Sequence, residues 1–184
     1  MTLRTDVAEL LAGAGILDVD IDDAVADEHV RSSVYQRVIS VTASARSRDR
    51  DRAIVATILR DPNEISSKTA VVALVDSIAT KVTGPAEFRQ WSAELLPETD
   101  QLKTEEFREF IRRRIHDWLF YLSVKDGHVP TPAELARVTD WMQRLLAVES
   151  TSPAVLALLA ESAGRKKTRN IAKSRAGSRK LRAQ

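Results

Sequence analysis

Apolar residues recur at three- and four-residue spacing along almost the whole chain, and sustained period-2 alternation occurs once only, in Leu17-Asp18-Val19-Asp20-Ile21-Asp22. A 3.6-residue period gathers such residues on one face of a helix, whereas a half-buried strand needs a period of two. The chain is therefore expected to be all-α. At 184 residues, with 43% apolar and 29% charged, it has enough apolar surface for a real core and belongs with globular rather than disordered chains.

The spacing predicts about eight helices. The first follows an N-cap at Thr5, gives Val7, Leu10 and Leu11 one face, and ends near Gly13 and Gly15. The second runs from Glu28 to Ala45 with Val30, Val34, Val38 and Val41 as its stripe. The third runs from Arg50 to Arg60, buries Ile54, Ile58 and Leu59, and stops at Asp61-Pro62-Asn63. A fourth, from Glu64 to Val82, is the most apolar and the expected central helix. Gly84-Pro85 opens a fifth that closes at Pro97, and the sixth, from Thr104 to Val124, is long and aromatic. Thr131-Pro132-Ala133-Glu134 is a capping box for the seventh, and Ser152-Pro153 starts an eighth that Gly164 ends. Arg165 to Ala176 has nothing that forbids a further helix.

Short connections favour a compact multi-helix bundle. Helix starts near 28, 64 and 104 recur at about the period of HEAT-type repeats, so a short helical-repeat solenoid is the alternative. The expected organisation is a short N-terminal helix with an acidic linker over residues 1–27, a helical domain over 28–164, and a basic tail, flexible or helical, over 165–184.

Charge divides the chain more sharply than hydropathy. Residues 1–30 hold eight acids against the single base Arg4, whereas residues 165–184 hold nine Lys or Arg and no acid. The cations are Arg165, Lys166, Lys167, Arg169, Lys173, Arg175, Arg179, Lys180 and Arg182. Blocks of like charge are frequently interaction segments. A polycation spaced by Asn, Ser, Ala and Gly reads as solvated until a polyanion meets it, and nucleic acid is the expected one, bound through counterion release. A clamp on the acidic N-terminus and contact with anionic membrane are the competing readings. The tail has no aromatic residue, which argues against single-strand stacking.

Several chemistries are excluded. Without cysteine there are no disulfides, thiol nucleophiles or cysteine metal sites. The start of the chain brings in Asp6 and Glu9 at once, unlike a secretory signal, and no apolar run is long enough to span a membrane, so a cytoplasmic location is expected. Arg outnumbers Lys by twenty to eight, which hints at a GC-rich bacterial genome. Asp18, Asp20 and Asp22 stand at calcium-loop positions, but Asp23 and His29 stand where that loop needs Gly and Glu, so an extended acidic linker is expected. Lys68-Thr69 ends like a phosphate loop but lacks its glycines, and the pair is read as facing solvent.

His29, His116 and His128 share no metal-binding spacing, and no serine nucleophile motif occurs. Arg108, Arg112, Arg113 and Arg114 read as a solvated face with Glu109–Arg113 and Arg113–Asp117 pairs, with a secondary nucleic-acid patch made by Arg108 and Arg112 as the alternative. The alternating-sign run Arg46 to Arg52 reads as solvated. Trp91, Trp118 and Trp141 read as core anchors rather than base-stacking platforms, with room for one exposed tryptophan at a partner groove. A helix-turn-helix over Ala154 to Ala176 is disfavoured, because its second segment offers only Ile171, Ala172 and Leu181 for packing.

The expected protein is non-enzymatic and binds macromolecules: nucleic acid through the tail, and a protein partner or a second copy through the helical body. A protein–protein adaptor with no nucleic-acid role is the alternative, and an enzyme with a carboxylate site the third. No cofactor, metal or small-molecule substrate is expected.

Overall fold

A computed structural model describes residues 2–182, with side chains as far as residue 178 in the last helix. Among the described residues every regular element is helical, as the apolar period requires. The chain divides into two compact units between Ile115 and His116, within one continuous helix. The boundaries read from sequence, after residues 27 and 164, both fall inside these units.

The first unit contains α1 (Leu3–Ala14), α2 (Ile21–Ala26), α3 (Glu28–Ser44), α4 (Asp51–Ile58), α5 (Glu64–Ala79), α6 (Pro85–Leu95), a 3-10 segment (Leu96–Gln101) and the first half of α7 (Glu105–Lys125). Thr2, not Thr5, caps α1: its hydroxyl accepts from the Thr5 N–H, because the helix has already begun at Leu3. Gly15 closes α1 at φ 68°, a conformation other residues reach only with strain. The acidic alternation is not an extended linker. Asp20 accepts from the N–H groups of Asp22 (2.8 Å) and Asp23 (3.2 Å) and so starts α2, whose positive N-terminal end suits those acids. Asp18 pairs with Arg37 and Asp22 with Arg4, so their charges are answered by bases.

The inner face of α3 runs Arg31, Val34, Tyr35, Val38, Ile39 and Thr42, and packs chiefly on α5. Val41 is 45% exposed, because the buried stripe lies one position round from the valine row expected. Arg31 is buried through its partners: Nε donates to Asp61 at 2.6 Å, and Nη1 to the carbonyls of Ala24 (3.0 Å) and Val25 (3.1 Å) at the end of α2. Asp61 also accepts from the Tyr35 hydroxyl at 2.6 Å and the Asn63 N–H at 2.7 Å. Burial, and then the Asp61 carboxylate, push the Tyr35 phenol far above its ordinary value. The most buried stretch of the unit is α5, as its apolar girth implies.

Arginine closes helices from a distance. The last four carbonyls of a helix lack intrahelical donors and carry the negative end of its dipole, yet α1 and α3 have no basic residue in their own last turn. Arg50 Nη1 reaches the Gly13 carbonyl at 3.1 Å, Arg48 donates to the carbonyls of Thr42 and Ala45, and Lys81 Nζ reaches that of Ala43 at 2.7 Å. The run Arg46 to Arg52 is thus largely exposed, as its alternating charge implies, but Arg48 and Arg50 within it also hold helix ends. Asp51 within it is buried and accepts from Trp91 Nε1 at 2.9 Å, and Arg52 pairs with Glu98. Burial holds the Asp51 carboxyl above the usual range.

The second unit contains the rest of α7, α8 (Pro132–Leu135), α9 (Asp140–Glu149), α10 (Pro153–Ser162) and α11 (Lys166–Arg182). The capping box at Thr131 and Glu134 is present, but it starts a single turn, and a new helix begins at Thr139. The cause is Asp117 on α7, buried, which accepts from Thr139 N at 3.1 Å and Thr139 Oγ1 at 2.5 Å and fixes that residue as a second N-cap. Asp117 is thus not a surface partner of Arg113. Gln143, also buried, donates to the carbonyls of Leu135 (3.0 Å) and Val138 (3.2 Å) and accepts from Gly164 N at 2.8 Å, joining α8, α9 and the α10–α11 turn. Leu122, Leu135, Met142, Leu146, Leu156 and Leu159 fill the core between them. Among the described residues no helix is long and apolar enough to cross a membrane.

Candidate nucleic-acid interface

The basic segment is a helix that packs. In the turn before it, Gly164 packs close to Asp140, whose exposed carboxylate would have to shift to admit a Cβ there. From Lys166 onward the inward positions are Thr168, Ala172, Arg175 and Ala176, at the i, i+4, i+7, i+8 spacing of one helical face. Thr168 and Ala172 are buried, and α11 lies chiefly on α10 and also on α9. Small residues allow this close approach. The segment thus has a packing face, which its weakly apolar composition concealed.

That packing sorts the nine cations. Arg175 Nη1 donates to the carbonyls of Ala147 (3.0 Å) and Ser150 (2.8 Å), closing the C-terminus of α9. Arg169 Nη1 donates to those of Ala163 (2.6 Å) and Gly164 (3.3 Å), closing α10. Arg165 pairs at 2.5 Å with Asp140 on the surface. Lys166, Lys167 and Lys173 are exposed and have no hydrogen-bond or ion-pair partner among the described residues. The side chains of Arg179, Lys180 and Arg182 lie outside the described residues.

The electrostatics at the start of α11 oppose helix stability. A helix N-terminus carries about half a positive charge and favours acids in its first turn. Here Arg165, Lys166 and Lys167 are placed there instead, with no acidic residue in the first turn. The surrounding unit has the same sign: residues 116–184 hold twelve Lys or Arg against six Asp or Glu, whereas residues 1–115 hold sixteen against twenty.

One of the three tryptophans departs from the core-anchor expectation. Trp91 and Trp118 are core residues at 6% and 5% exposure, but Trp141 is 41% exposed. It lies on α9, with exposed Arg144 and Val148 on the same outer side of that helix. Its ring meets Trp118 edge-on at 5.8 Å and 75°, and Trp118 meets Tyr121 at 5.3 Å and 81°. A tryptophan within an apolar helical pattern carries no local sign of which side of the stripe it falls on.

The other sequence candidates serve different ends. Arg108 is taken by Glu105 and the Leu102 carbonyl, and Arg112 by Glu109, Glu105 and Asp100, so acids answer the charge of the suggested secondary patch. The Arg108 hydrogen bond holds the Glu105 carboxyl below its ordinary value. Lys68 does not simply face solvent: Nζ lies 4.8 Å from the Phe110 ring centroid and 5.3 Å from that of Phe107. His128 touches Glu134 of the capping box at 3.2 Å, and His29 and His116 are exposed. No cluster of three or more His, Cys, Asp or Glu with metal-holding geometry occurs among the described residues.

Compared with protein-family models, with curated proteins and with solved structures, the chain finds no match.

Proposed function

We propose that the second unit binds nucleic acid without reading its sequence, through the outward face of α11. The observation that carries this reading is the exposed trio Lys166, Lys167 and Lys173 on a helix with no acidic residue. Two of these lysines sit where the helix dipole already repels them. A phosphate backbone relieves that repulsion and takes up the N-terminal dipole at once. Arg175 and Arg169 serve the fold, so the binding face is smaller than the cation count suggests. Phosphate contacts of this kind position a ligand and carry no base information.

Cutting the chain at Gly164 is a poor test, because it removes the Thr168–Ala172 packing face together with the charge. The direct test is fluorescence anisotropy of labelled DNA and RNA against the full chain and a Lys166→Ala/Lys167→Ala/Lys173→Ala variant, between about 50 and 200 mM salt. Each lost phosphate contact lowers the magnitude of the log K against log salt slope by about 0.9 on duplex DNA and about 0.7 on single strands, so the triple variant loses about 2.7 or about 2.1. A slope shared by both proteins, or no binding by either, overturns the reading.

A further inference from the structure

We infer that Trp141 is a base-stacking platform, so that the preferred ligand of the second unit is single-stranded nucleic acid. The inference rests on the nucleic-acid reading above and narrows its ligand. α9 and α11 run side by side in the same direction: Asp140 meets Arg165 at one end, and Ala147 and Ser150 meet Arg175 at the other. Asp140, Gln143 and Ala147 therefore face the α10–α11 side. Trp141, Arg144 and Val148 occupy the outer side of α9, and the lysines the outer side of α11. The Asp140–Arg165 ion pair at 2.5 Å brings the starts of the two helices together, so Trp141 and Lys166, each the next residue in the chain, stand at the same end of the unit and within reach of one strand.

Burial separates Trp141 from an ordinary core anchor. Trp91 and Trp118 leave 6% and 5% of their surface in solvent, whereas Trp141 leaves 41%. Its orientation is nonetheless fixed by the edge-on contact with the buried Trp118. An oriented ring loses little rotamer freedom on stacking, and its hydrophobic area is large. Base–aromatic stacking tolerates any sequence, which suits an interface with no base-reading side chains. Duplex bases are already stacked on one another and cannot reach the ring, so the platform favours an unpaired strand.

The test measures binding of an oligothymidylate, an oligouridylate and a duplex of equal length to the full chain and to Trp141→Leu and Trp141→Phe. Leucine keeps an apolar contact on Trp118 but removes the aromatic face, and circular dichroism verifies that helix content is retained. The expected result is single-strand binding about 5- to 100-fold weaker in Trp141→Leu, little changed in Trp141→Phe, and duplex binding unaffected by either. Single strands also quench tryptophan emission in the parent chain and not in Trp141→Phe. The two oligonucleotides separate DNA from RNA as the source. Unchanged single-strand affinity in Trp141→Leu, with the lysine variant still weakened, overturns the stacking platform and leaves the electrostatic reading standing. Absence of binding to every nucleic acid overturns both.

Discussion

Arg175 Nη1 lies 2.8 Å from the carbonyl oxygen of Ser150, the residue that ends α9. The same nitrogen reaches the Ala147 carbonyl at 3.0 Å, so one guanidinium from a cationic helix closes its neighbour. Basic residues in this chain thus serve different ends: some hold helices shut, some pair with acids, and some face outward without a partner. Arg31, Arg48, Arg50, Lys81 and Arg169 belong with Arg175 in the first group. Lys166, Lys167 and Lys173 belong in the last.

Replacing Arg175 with Ala leaves two carbonyls at the negative end of α9 without their cation. Hydrogen bonds to charged groups contribute about 1.5–3 kcal/mol net, and the half-buried position reduces screening. Arg175→Ala is expected to lower unfolding free energy by about 2 kcal/mol in urea titrations, with the salt slope of nucleic-acid binding unchanged. A stable variant with a flatter salt slope instead makes Arg175 a phosphate contact.

Helical class was legible because the apolar period is a property of each segment alone. The first cap-and-proline signal of the second unit was legible too, yet the length of its helix was not, since Asp117 sets Thr139 from 22 residues away. Arg50 and Gly13 stand 37 apart, and Arg175 and Ala147 stand 28 apart, so local charge patterns could not show that these arginines hold distant helix ends. The cations of the tail could be counted, but the burial of Thr168 and Ala172 gives too weak an apolar signal to find. Trp141 was misplaced for the related reason that an apolar stripe has edges only a neighbouring helix defines.

Asp117 is the internal support of α9, and its carboxylate has two donors from one residue. Asp117→Ala leaves the half-buried Thr139 N–H and hydroxyl short of an acceptor, at up to about 1–3 kcal/mol for such a group. Thermal melting of that variant is expected well below the parent chain. Asp117→Asn, which keeps an acceptor oxygen, recovers part of the loss. Equal melting of all three proteins removes Asp117 from this role.

The two tyrosines give the fold an alkaline limit. Burial and then Asp61 raise the Tyr35 phenol, and burial and then the Glu149 hydrogen bond push Tyr121 up to about 12. Both folded values exceed the unfolded value of about 10. The associated stability is therefore complete below about pH 10 and is lost as pH rises toward the folded values. For Tyr35 the expected slope is about 1.4 kcal/mol per pH unit; the half-exposed edge of Tyr121 adds less. Ultraviolet titration should show little tyrosinate until the protein unfolds, and Tyr35→Phe should flatten the decline of stability above pH 10. Tyrosinate forming at the ordinary value in the folded chain contradicts both.

The first turn of α11 sets stability against binding. Lys166 and Lys167 stand at a helix end whose partial positive charge favours carboxylates, so Lys166→Glu/Lys167→Glu reverses an unfavourable arrangement. Each exchange at an exposed first-turn position is worth about 0.3–1 kcal/mol at low salt, and the gain shrinks as salt screens it. The double variant is expected to melt higher than the parent chain and to lose nucleic-acid affinity in the same preparation. The lysine helix end would then be kept for a ligand at the expense of the fold. A variant that melts lower places these lysines in intramolecular contacts instead, and one that melts higher while binding normally moves the interface away from the start of α11.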